Sequence, residues 1–289
     1  MSGGEEFTIP PAPWRVVIVT RILPVALGFH SVLSDAGHEP VALLTVRGLR
    51  ERYGPAGDVA ALIDGAPAGL DVLVPSDRDR VATLLAAVSP DLAVCMGFPW
   101  KVRPEALAVP TLGWLNGHPS LLPRHRGPIP IAWAIRDGDD AVGVSFHRMD
   151  AELDTGPLLA QREQPLVAYV PPDELYTAMG PLVLEALAEA LEQLAAGERG
   201  ARQEGGDYQG FFAAADAWLD LSRPASEVHR LVWAWRYAVP PTDGPAGALL
   251  ELDGETVRVL ASSLEEAGAG RRVECGDGPL WVLEAEPVD

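Results

Sequence analysis

Apolar runs alternate with helically spaced segments through the first part of the chain, and this alternation constrains the fold more than any other feature. The run RVVIVT at 15–20 is typical of a buried strand, whereas LPVALGFHSVLSDAG at 23–37 has the apolar spacing of a helix. Further strand-like runs follow at EPVALLTV and DLAVCMG. Strands that alternate with helices favour βαβ units with right-handed crossovers. The predicted fold class is therefore α/β, with a Rossmann-like parallel sheet.

A change of composition near residue 200 predicts a domain boundary. The stretch GERGARQEGGDYQG at 197–210 is rich in glycine and charge, as linkers often are. Beyond it, RPASEVHRLVWAWR has helical spacing, and Asp253-Gly254 between two apolar runs is a strong hairpin signal. We predict an N-terminal tail at 1–14, a catalytic domain at 15–200, and a linker with a small β-rich domain at 201–289.

The stretch NGHPSLLP at 116–123 follows a short apolar run, so its polar residues are expected at the end of a strand. Ligands bind beyond the carboxyl ends of the strands in sheets of this class. Here Asn116 can donate hydrogen bonds without titrating, His118 can exchange a proton near neutral pH, and a carboxylate such as Asp154 can orient an imidazole. This set suits acyl transfer to an amine. Donors from Asn116 and protonated His118 would stabilise an oxyanion while Asp154 helps to remove the excess proton.

Each candidate residue also has an ordinary structural interpretation. A lone histidine at a turn, such as His118, is more often simply hydrogen-bonded, and Asn116 could be a turn former. Asp154 before Thr-Gly could be the first residue of an Asx-turn. Glu152 fits a solvated surface as well as it fits a functional role. The sequence gives no catalytic signal for the remaining histidines, which are interpreted as structural or surface residues: His30, His38, His125, His147 and His229.

Other chemistries find no support in the sequence. The first strand is not followed by a GxGxxG turn, and no GxxxxGK[ST] motif occurs, so NAD- and ATP-dependent reactions are set aside. Cys95 and Cys275 lie far apart with no CxxC spacing, which favours packing roles. No HxH, HExxH or Cys/His spacing indicates a metal site, so no metal is expected.

The charge balance is strongly acidic. The formal net charge is -19, and Lys101 is the single lysine among 22 basic residues. Nucleic-acid affinity comes mainly from clustered cations that neutralise phosphates, so this balance argues against a nucleic-acid partner, although tRNA is not excluded. The sequence has no apolar run of membrane-spanning length and no signal-peptide pattern, so we expect a soluble, cytoplasmic protein without a membrane partner.

Two motifs in the chain resemble those of the 10-formyltetrahydrofolate-dependent formyltransferases. LNGHPSLLP resembles the N-x-H-x-SLLP signature of that family, and MDAELDTGPLL resembles its M-D-x-x-LDTG loop, with Asp154 placed 36 residues after His118. The same motifs occur in sugar and glycinamide ribonucleotide N-formyltransferases. The resemblance implies a folate-dependent enzyme that takes the formyl group from 10-formyltetrahydrofolate, with Asn116, His118 and Asp154 as catalytic residues.

The resemblance also implies where the folate lies. Its pterin is expected against the stretch GFPWKV and against the acidic loop that ends at Asp154. Pro99 and Trp100 depart from the small aliphatic residues that are usual in the family at this stretch. The expected folate-binding residues are Gly97, Phe98, Pro99, Trp100, Lys101, Val102, Asp150 and Glu152.

The end of the chain resembles the C-terminal, OB-like domain of the methionyl-tRNA formyltransferases, through DAWLDLSRPASEVHRLVWAW and ALLELDGETVRVL. From Asp207 onward, however, the chain has fifteen acidic residues against six arginines. The segment after the second strand, including 46–58, also lacks the lysine-rich insertion of those enzymes and is expected to help shape the acceptor pocket. A tRNA-binding surface is expected to be positive.

Three functions therefore remain open from the sequence. The first is an N-formyltransferase that acts on a small-molecule or carrier-bound amine, in specialised metabolism. The second is a methionyl-tRNA formyltransferase of translation initiation, favoured by the domain order and disfavoured by the charge. The third is a catalytically idle folate-binding protein, which has no need of an intact set of catalytic groups. Neither the acceptor amine nor the oligomeric state follows from the sequence.

Overall fold

The computed structural model describes residues 9, 11–47, 59–166, 169–240, 244–266, 268 and 270–288. Most of the predicted N-terminal tail and of the predicted acceptor segment 46–58 lies outside the described residues. The chain forms two compact units that interleave along the sequence. The first comprises residues 1–124, 143–163 and 178–206, and the second comprises 125–142, 164–177 and 207–289. The sequence boundary near residue 200 stays a prediction.

A seven-stranded sheet forms the larger part of the fold, in the order β3-β2-β1-β4-β5-β6-β7. The first five strands pair in parallel, and β6 pairs antiparallel with β5. The predicted α/β class is confirmed, with an antiparallel β6 that the alternation of elements did not indicate. The strands are β1 (Arg15–Val19), β2 (Glu39–Leu44), β3 (Asp71–Leu73), β4 (Leu92–Cys95), β5 (Trp114–His118), β6 (Ala141–Arg148) and β7 (Leu158–Pro165).

The helices largely follow the apolar spacing in the sequence. The first ends two residues before Gly37, whose left-handed φ of 78° suits a glycine just beyond a helix end. The long helix after β7 stays one helix through Pro181. None of the helices in the described part is long and apolar enough to cross a membrane. The helices are α1 (Leu23–Asp35), α2 (Val59–Gly65), α3 (Val81–Val88), α4 (Pro104–Leu107), α5 (Pro130–Asp137), α6 (Pro172–Ala195) and α7 (Ala225–Trp235).

The central strands of the sheet are buried on both faces, which explains why they are continuous apolar runs. Along β1, Val16 and Ile18 belong to one apolar cluster with α1 and the last turns of α6. Val17 and Val19 belong to a second cluster, with residues from α3 and α4. Each such fully buried side chain stabilises the fold by about 1.5–3 kcal/mol. The central strands are therefore a rigid base for the side chains at their carboxyl ends.

The C-terminal part of the chain forms a four-stranded antiparallel sheet in the order β10-β11-β9-β8. The predicted hairpin is confirmed, because Asp253 and Gly254 join two of its strands with φ values of 53° and 84°. Two left-handed residues in sequence are typical of the turn that matches the twist of a hairpin. The strands are β8 (Ala248–Leu252), β9 (Glu255–Ser263), β10 (Arg271–Cys275) and β11 (Gly278–Pro287).

Candidate active site

Two of the predicted catalytic residues lie at the carboxyl end of β5, which contains both Asn116 and His118. His118 is almost fully buried, with 5% of its surface exposed, and Asn116 is half-buried. Asp154 lies in the loop between β6 and β7 and approaches both of them. The structure thus brings together all three residues of the predicted catalytic set.

A single carboxylate oxygen is the centre of this cluster. Asp154 Oδ1 lies 3.4 Å from Asn116 Nδ2 and 3.6 Å from His118 Nδ1. It also lies 3.7 Å from Nε2 of His147. These distances allow electrostatic stabilisation but are long for hydrogen bonds, as is common for catalytic groups before the substrate is bound. With 13% of its side chain exposed, Asp154 can act on the imidazole of His118 with little screening by water.

The backbone of the Asp154 loop is held by contacts that are distant in sequence. Asp154 itself has a left-handed φ of 58°, a conformation that costs energy for any residue with a Cβ. Gln203 Nε2 donates to the carbonyl oxygens of Asp154 and Gly156, at 3.0 and 2.7 Å. Asp150 Oδ1 accepts hydrogen bonds from the Glu152 amide and the Thr155 hydroxyl, at 3.0 and 2.8 Å. These contacts fix the position of the Asp154 carboxylate.

Gly156 is the point at which this loop meets β6. A Cβ at this position would lie 1.7 Å from the carbonyl oxygen of Arg148, a backbone atom that cannot yield without moving the strand. We expect Gly156→Ala to lower the free energy of unfolding by about 1–3 kcal/mol, as overpacking does, and to displace Asp154. Turnover should fall further than the lower thermal midpoint explains.

Gly180→Ala is the matched control for this substitution. Gly180 lies within α6, and a Cβ there would meet nothing within 4 Å. Alanine is the better helix former, but the ring of Pro181 crowds a Cβ on the residue before it, so this variant should keep full activity with a stability change of about 1 kcal/mol or less. Equal effects of the two substitutions on turnover would contradict the role of the Gly156 contact.

His147 is a site residue that the sequence interpretation missed. The antiparallel register of β5 and β6 places it directly opposite Asn116, and its Nε2 lies 3.1 Å from Asn116 Nδ2. Its Nδ1 lies 3.0 Å from the carbonyl oxygen of Arg148, which can only accept, so this nitrogen carries the proton. With the proton on Nδ1, His147 Nε2 accepts a hydrogen bond from the side-chain amide of Asn116. The sequence did contain one signal, because His147 lies only seven residues before Asp154. Its side chain could be placed beside Asn116 only once the register between β5 and β6 was known.

The predicted folate-binding stretch follows β4 at the same edge of the sheet. Gly97 has a left-handed φ of 70°, and its carbonyl oxygen accepts a hydrogen bond of 3.2 Å from Arg21 Nε. Phe98 and Trp100 pack edge to face, with ring centroids 5.7 Å apart, and both contact the apolar cluster that includes Val19. The backbone of the stretch is thereby fixed against the sheet. Its last residue, Val102, is buried in the same cluster.

The two predicted folate-binding segments approach each other at one ion pair. Lys101 Nζ lies 3.5 Å from a carboxylate oxygen of Glu152, and both side chains are well exposed. An exposed pair of this kind contributes about 0–1 kcal/mol, so its effect is to bring the segments together rather than to stabilise the fold. The structure does not place Pro99 in any specific contact.

Cys95 lies under the site, at the end of β4, and is fully buried. Burial raises the pKa of its thiol to about 12, although the Phe98 amide opposes this shift and the charge of Asp154 reinforces it. The thiol therefore stays protonated at neutral pH and is a poor nucleophile. Ser120 is also occupied structurally, because its hydroxyl donates to the Arg124 carbonyl at 2.8 Å.

Two further histidines that the sequence interpretation set aside, His125 and His229, lie in the second compact unit. His125 Nε2 lies 2.8 Å from Asp139 Oδ2, and its Nδ1 lies 2.8 Å from Gln209 Oε1. His229 Nδ1 lies 2.6 Å from the Ser262 hydroxyl, and burial, followed by the charge of Arg230, lowers its pKa to about 4. Both histidines thus have structural partners, as their sequence context indicated.

The fold and the site together define a class of enzyme. An amide, two imidazoles and a carboxylate converge at the carboxyl edge of a mostly parallel sheet, which is the usual ligand edge in this class. The cluster offers hydrogen-bond donors and a proton acceptor, as attack of an amine on a carbonyl carbon requires. It contains no hydroxyl or activated thiol for a covalent intermediate among the described site residues. Such a set of groups suits an enzyme that transfers an acyl group to an amine.

Comparison with known proteins places the chain within this class. A family model described as formyl transferase matches residues 73–191. The methionyl-tRNA formyltransferase of Roseiflexus sp. (strain RS-1) is 31% identical over 92% of this chain and 83% of that protein. That of Roseiflexus castenholzii is 33% identical over 95% of this chain and 91% of that protein. HypX from Aquifex aeolicus, solved with tetrahydrofolic acid, has the same fold, with a TM-score of 0.64 and 18% identity over 96% of this chain and 45% of that one.

The chain belongs to the formyltransferase family. It is a folate-dependent enzyme that uses 10-formyltetrahydrofolate as its one-carbon donor, as the sequence motifs predicted.

Proposed function

We propose that this enzyme transfers the formyl group of 10-formyltetrahydrofolate to the amino group of methionyl-tRNA. The observation that carries the proposal is the extent of the match to relatives of that name, which includes the C-terminal sheet and reaches 95% of this chain and 91% of one relative. A likeness restricted to the catalytic motifs would favour no particular acceptor. The relatives thus favour the second of the functions left open by the sequence over the first.

In the proposed reaction His118 and Asn116 act on the formyl oxygen. Protonated His118 donates to that oxygen as negative charge develops on it, in a buried setting where such a bond is strong. One amide hydrogen of Asn116 is held by His147 at 3.1 Å, which orients the group. The other points to Asp154 at 3.4 Å, and this weaker contact is the one that the formyl oxygen replaces.

Asp154 takes the role of the base in the proposed reaction. An attacking amine gains a positive charge that must be lost as a proton, and the carboxylate accepts this proton directly or through water. The same charge stabilises the imidazolium of His118 at 3.6 Å. No bond to the enzyme forms at any step.

We propose that the folate lies against the two segments joined by the Lys101–Glu152 pair. The backbone of 97–102 is fixed by the Arg21–Gly97 hydrogen bond and by apolar packing, so its N–H and C=O groups form a rigid edge for a planar heterocycle. Asp150 organises the opposite loop through its two accepted hydrogen bonds. Glu152, as an exposed carboxylate, is available to a ring amine.

A second candidate acceptor is a small-molecule or carrier-bound amine, and the charge of the C-terminal part specifically favours it. Within the described residues, four of the six arginines from Asp207 onward form ion pairs with carboxylates, which removes positive charge that tRNA phosphates require. The pairs are Arg223–Glu227, Arg258–Glu286, Arg271–Asp253 and Arg272–Glu274.

Release of tetrahydrofolate distinguishes the acceptors. The purified enzyme is given 10-formyltetrahydrofolate with either initiator methionyl-tRNA or a tRNA-free pool of small amines from the native host. We expect release with the charged tRNA, and the slope of its rate against salt concentration measures how many phosphate contacts hold the tRNA. Methionine-free tRNA is the control that removes the amine but keeps the polyanion.

Release with the small-amine pool alone would overturn the tRNA proposal and support the second candidate, and mass spectrometry of the product would then name the acceptor. Release with neither acceptor, from an enzyme that still binds the folate, would support the catalytically idle function that the sequence left open.

A further inference from the structure

The second compact unit contains a cavity of about 270 Å³ that formyl transfer does not use. Its size lies just under the usual range of ligand pockets, about 300–1000 Å³, and suits one ligand of nucleotide size. Apolar and aromatic side chains form most of its wall, together with a few charged and hydroxyl groups. The residues that matter to the argument are Tyr169, Trp233, Tyr237, Ser226, Arg230 and Asp140.

Tyr169 is held in a conformation that the chain alone does not favour. Its φ of 73° is left-handed, which is unusual for a bulky residue and persists only where surrounding contacts enforce it. Its ring packs on His229 and Trp233, with centroids 4.0 and 4.8 Å away. The next residue is fixed as well, because the Tyr237 hydroxyl donates to the Val170 carbonyl at 2.5 Å.

The contacts of Tyr169 leave part of its ring accessible, since 37% of the residue is exposed. His229 and Trp233 below it are buried, at 2% and 8% exposure. The result is a supported aromatic surface on the wall of a cavity. A strained residue whose ring is backed by two other rings and open on one side is typical of a stacking platform for a planar ligand.

Arg230 supplies a positive charge to the same cavity. Its Nε donates to the Arg136 carbonyl at 3.3 Å, and its side chain packs on Gly138, which fix the guanidinium. In the part of the chain that the structure describes, no carboxylate lies at ion-pairing distance from Arg230. In a protein of net charge -19, whose neighbouring arginines are mostly paired, a half-buried and oriented guanidinium in a cavity favours an anionic ligand.

The remaining polar residues of the cavity fit a ligand with hydroxyl or amine groups. Ser226 precedes Arg230 by one helical turn and shares its face of α7. Asp139 and Asp140 also line the cavity, but the carboxylate of Asp139 is engaged by His125 at 2.8 Å. Asp140 thus remains as an acceptor for sugar hydroxyls or for an exocyclic amine, both of which carboxylates bind well.

We propose that this cavity binds a nucleoside monophosphate unit, with its base stacked on Tyr169, its phosphate at Arg230 and Ser226, and its ribose or base amine at Asp140. The aromatic ring, the guanidinium and the carboxylate all line the same cavity. Together they match the base, the phosphate and the sugar of a nucleotide. The source is either a free nucleotide or the unpaired end of an RNA. The inference stands apart from the proposed acceptor, because it concerns binding and not formyl transfer.

Isothermal titration of the full chain tests the inference with three probes: adenosine 5′-monophosphate, adenosine and the trinucleotide CCA. We expect the monophosphate to bind with a dissociation constant below about 1 mM, which one stacked base and one charged contact can supply. Adenosine should bind roughly tenfold or more weakly, since it cannot use Arg230. If the monophosphate binds at least as tightly as CCA, the ligand is a free nucleotide. If CCA binds about tenfold or more tightly than the monophosphate, the ligand is the end of an RNA.

The variants are chosen so that the fold is kept. Tyr169→Asn removes the ring and keeps a residue that tolerates left-handed φ, and should weaken binding roughly tenfold or more. Arg230→Met keeps the length and apolar stem of the side chain without its charge, with a similar expected loss. Arg236→Met is the matched control, because Arg236 lies 4.6 Å over the Trp233 ring but does not line the cavity. It should stay within about twofold of the original affinity.

Absence of binding for all three probes, in an enzyme that still releases tetrahydrofolate, would overturn the inference. Binding that survives unchanged in both Tyr169→Asn and Arg230→Met would overturn it too. In either case the proposed function would remain intact, because nucleotide binding is measured separately from the release of tetrahydrofolate.

Discussion

Replacement of Asp154 by Asn is expected to lower the turnover number by about 10²- to 10⁴-fold, the range typical of a lost general base. In the proposed reaction the carboxylate accepts the proton of the attacking amine and stabilises the imidazolium of His118, whose Nδ1 lies 3.6 Å away. Asparagine has the same shape and fills the same space, but it neither accepts a proton nor carries charge. Because the φ of 58° at this position is one that asparagine tolerates well, the backbone should not be strained further.

Single-turnover release of tetrahydrofolate measures this loss, and the thermal midpoint shows that the variant is folded. Glu152→Gln is the matched control, since it removes a carboxylate from the same loop. The Glu152 side chain is 77% exposed and forms a surface ion pair. If Glu152 only contacts the folate, its variant should raise KM and leave the turnover number within about threefold. A folded Asp154→Asn enzyme with the original rate would exclude Asp154 as the base.

The central strands of the sheet could be predicted because they are buried on both faces. Burial on both faces demands continuous apolar runs, such as 15–19, and these are visible without any tertiary information. The hairpin at Asp253-Gly254 could be predicted because its turn requires two residues that tolerate positive φ. In both cases the determining physics is local in sequence.

The site could be predicted only in part, because its remaining contacts depend on long-range register. Asn116 and His118 lie on one strand, so their proximity follows from the sequence. His147 reaches Asn116 only through the antiparallel pairing of β6, and an antiparallel strand could not be distinguished from a parallel one by its apolar pattern. Gln203 reaches the carbonyl of Asp154 across 49 residues. No local pattern marks such a contact.

The similar proteins and the charges in the structure favour different acceptors. Full-length similarity to methionyl-tRNA formyltransferases favours tRNA, whereas the ion pairs of the C-terminal arginines reduce the positive charge available to it. The two observations are compatible if tRNA is bound by few phosphate contacts and by contacts to its unpaired end. The salt dependence of turnover would then be shallow, which distinguishes this form of binding from the usual one.

Replacement of His118 by Asn is the second substitution with a large expected effect. His118 is 5% exposed, so the oxyanion that we propose it stabilises is shielded from water. The loss of a charged donor in such a site costs about 10²- to 10³-fold in turnover. Asparagine retains a neutral donor of similar reach, so the fold and folate binding should be kept. His30→Asn is the control, because His30 lies on α1 and takes no part in the cluster.

The double variant His118→Asn/Asp154→Asn tests whether the two residues act as one unit. Because we propose that Asp154 acts in part through the imidazolium of His118, the second substitution should cost far less in the background of the first than it does alone. Single-turnover rates of the four enzymes give the coupling directly. Fully additive losses would mean that Asp154 and His118 act independently, and the carboxylate would then serve the amine alone.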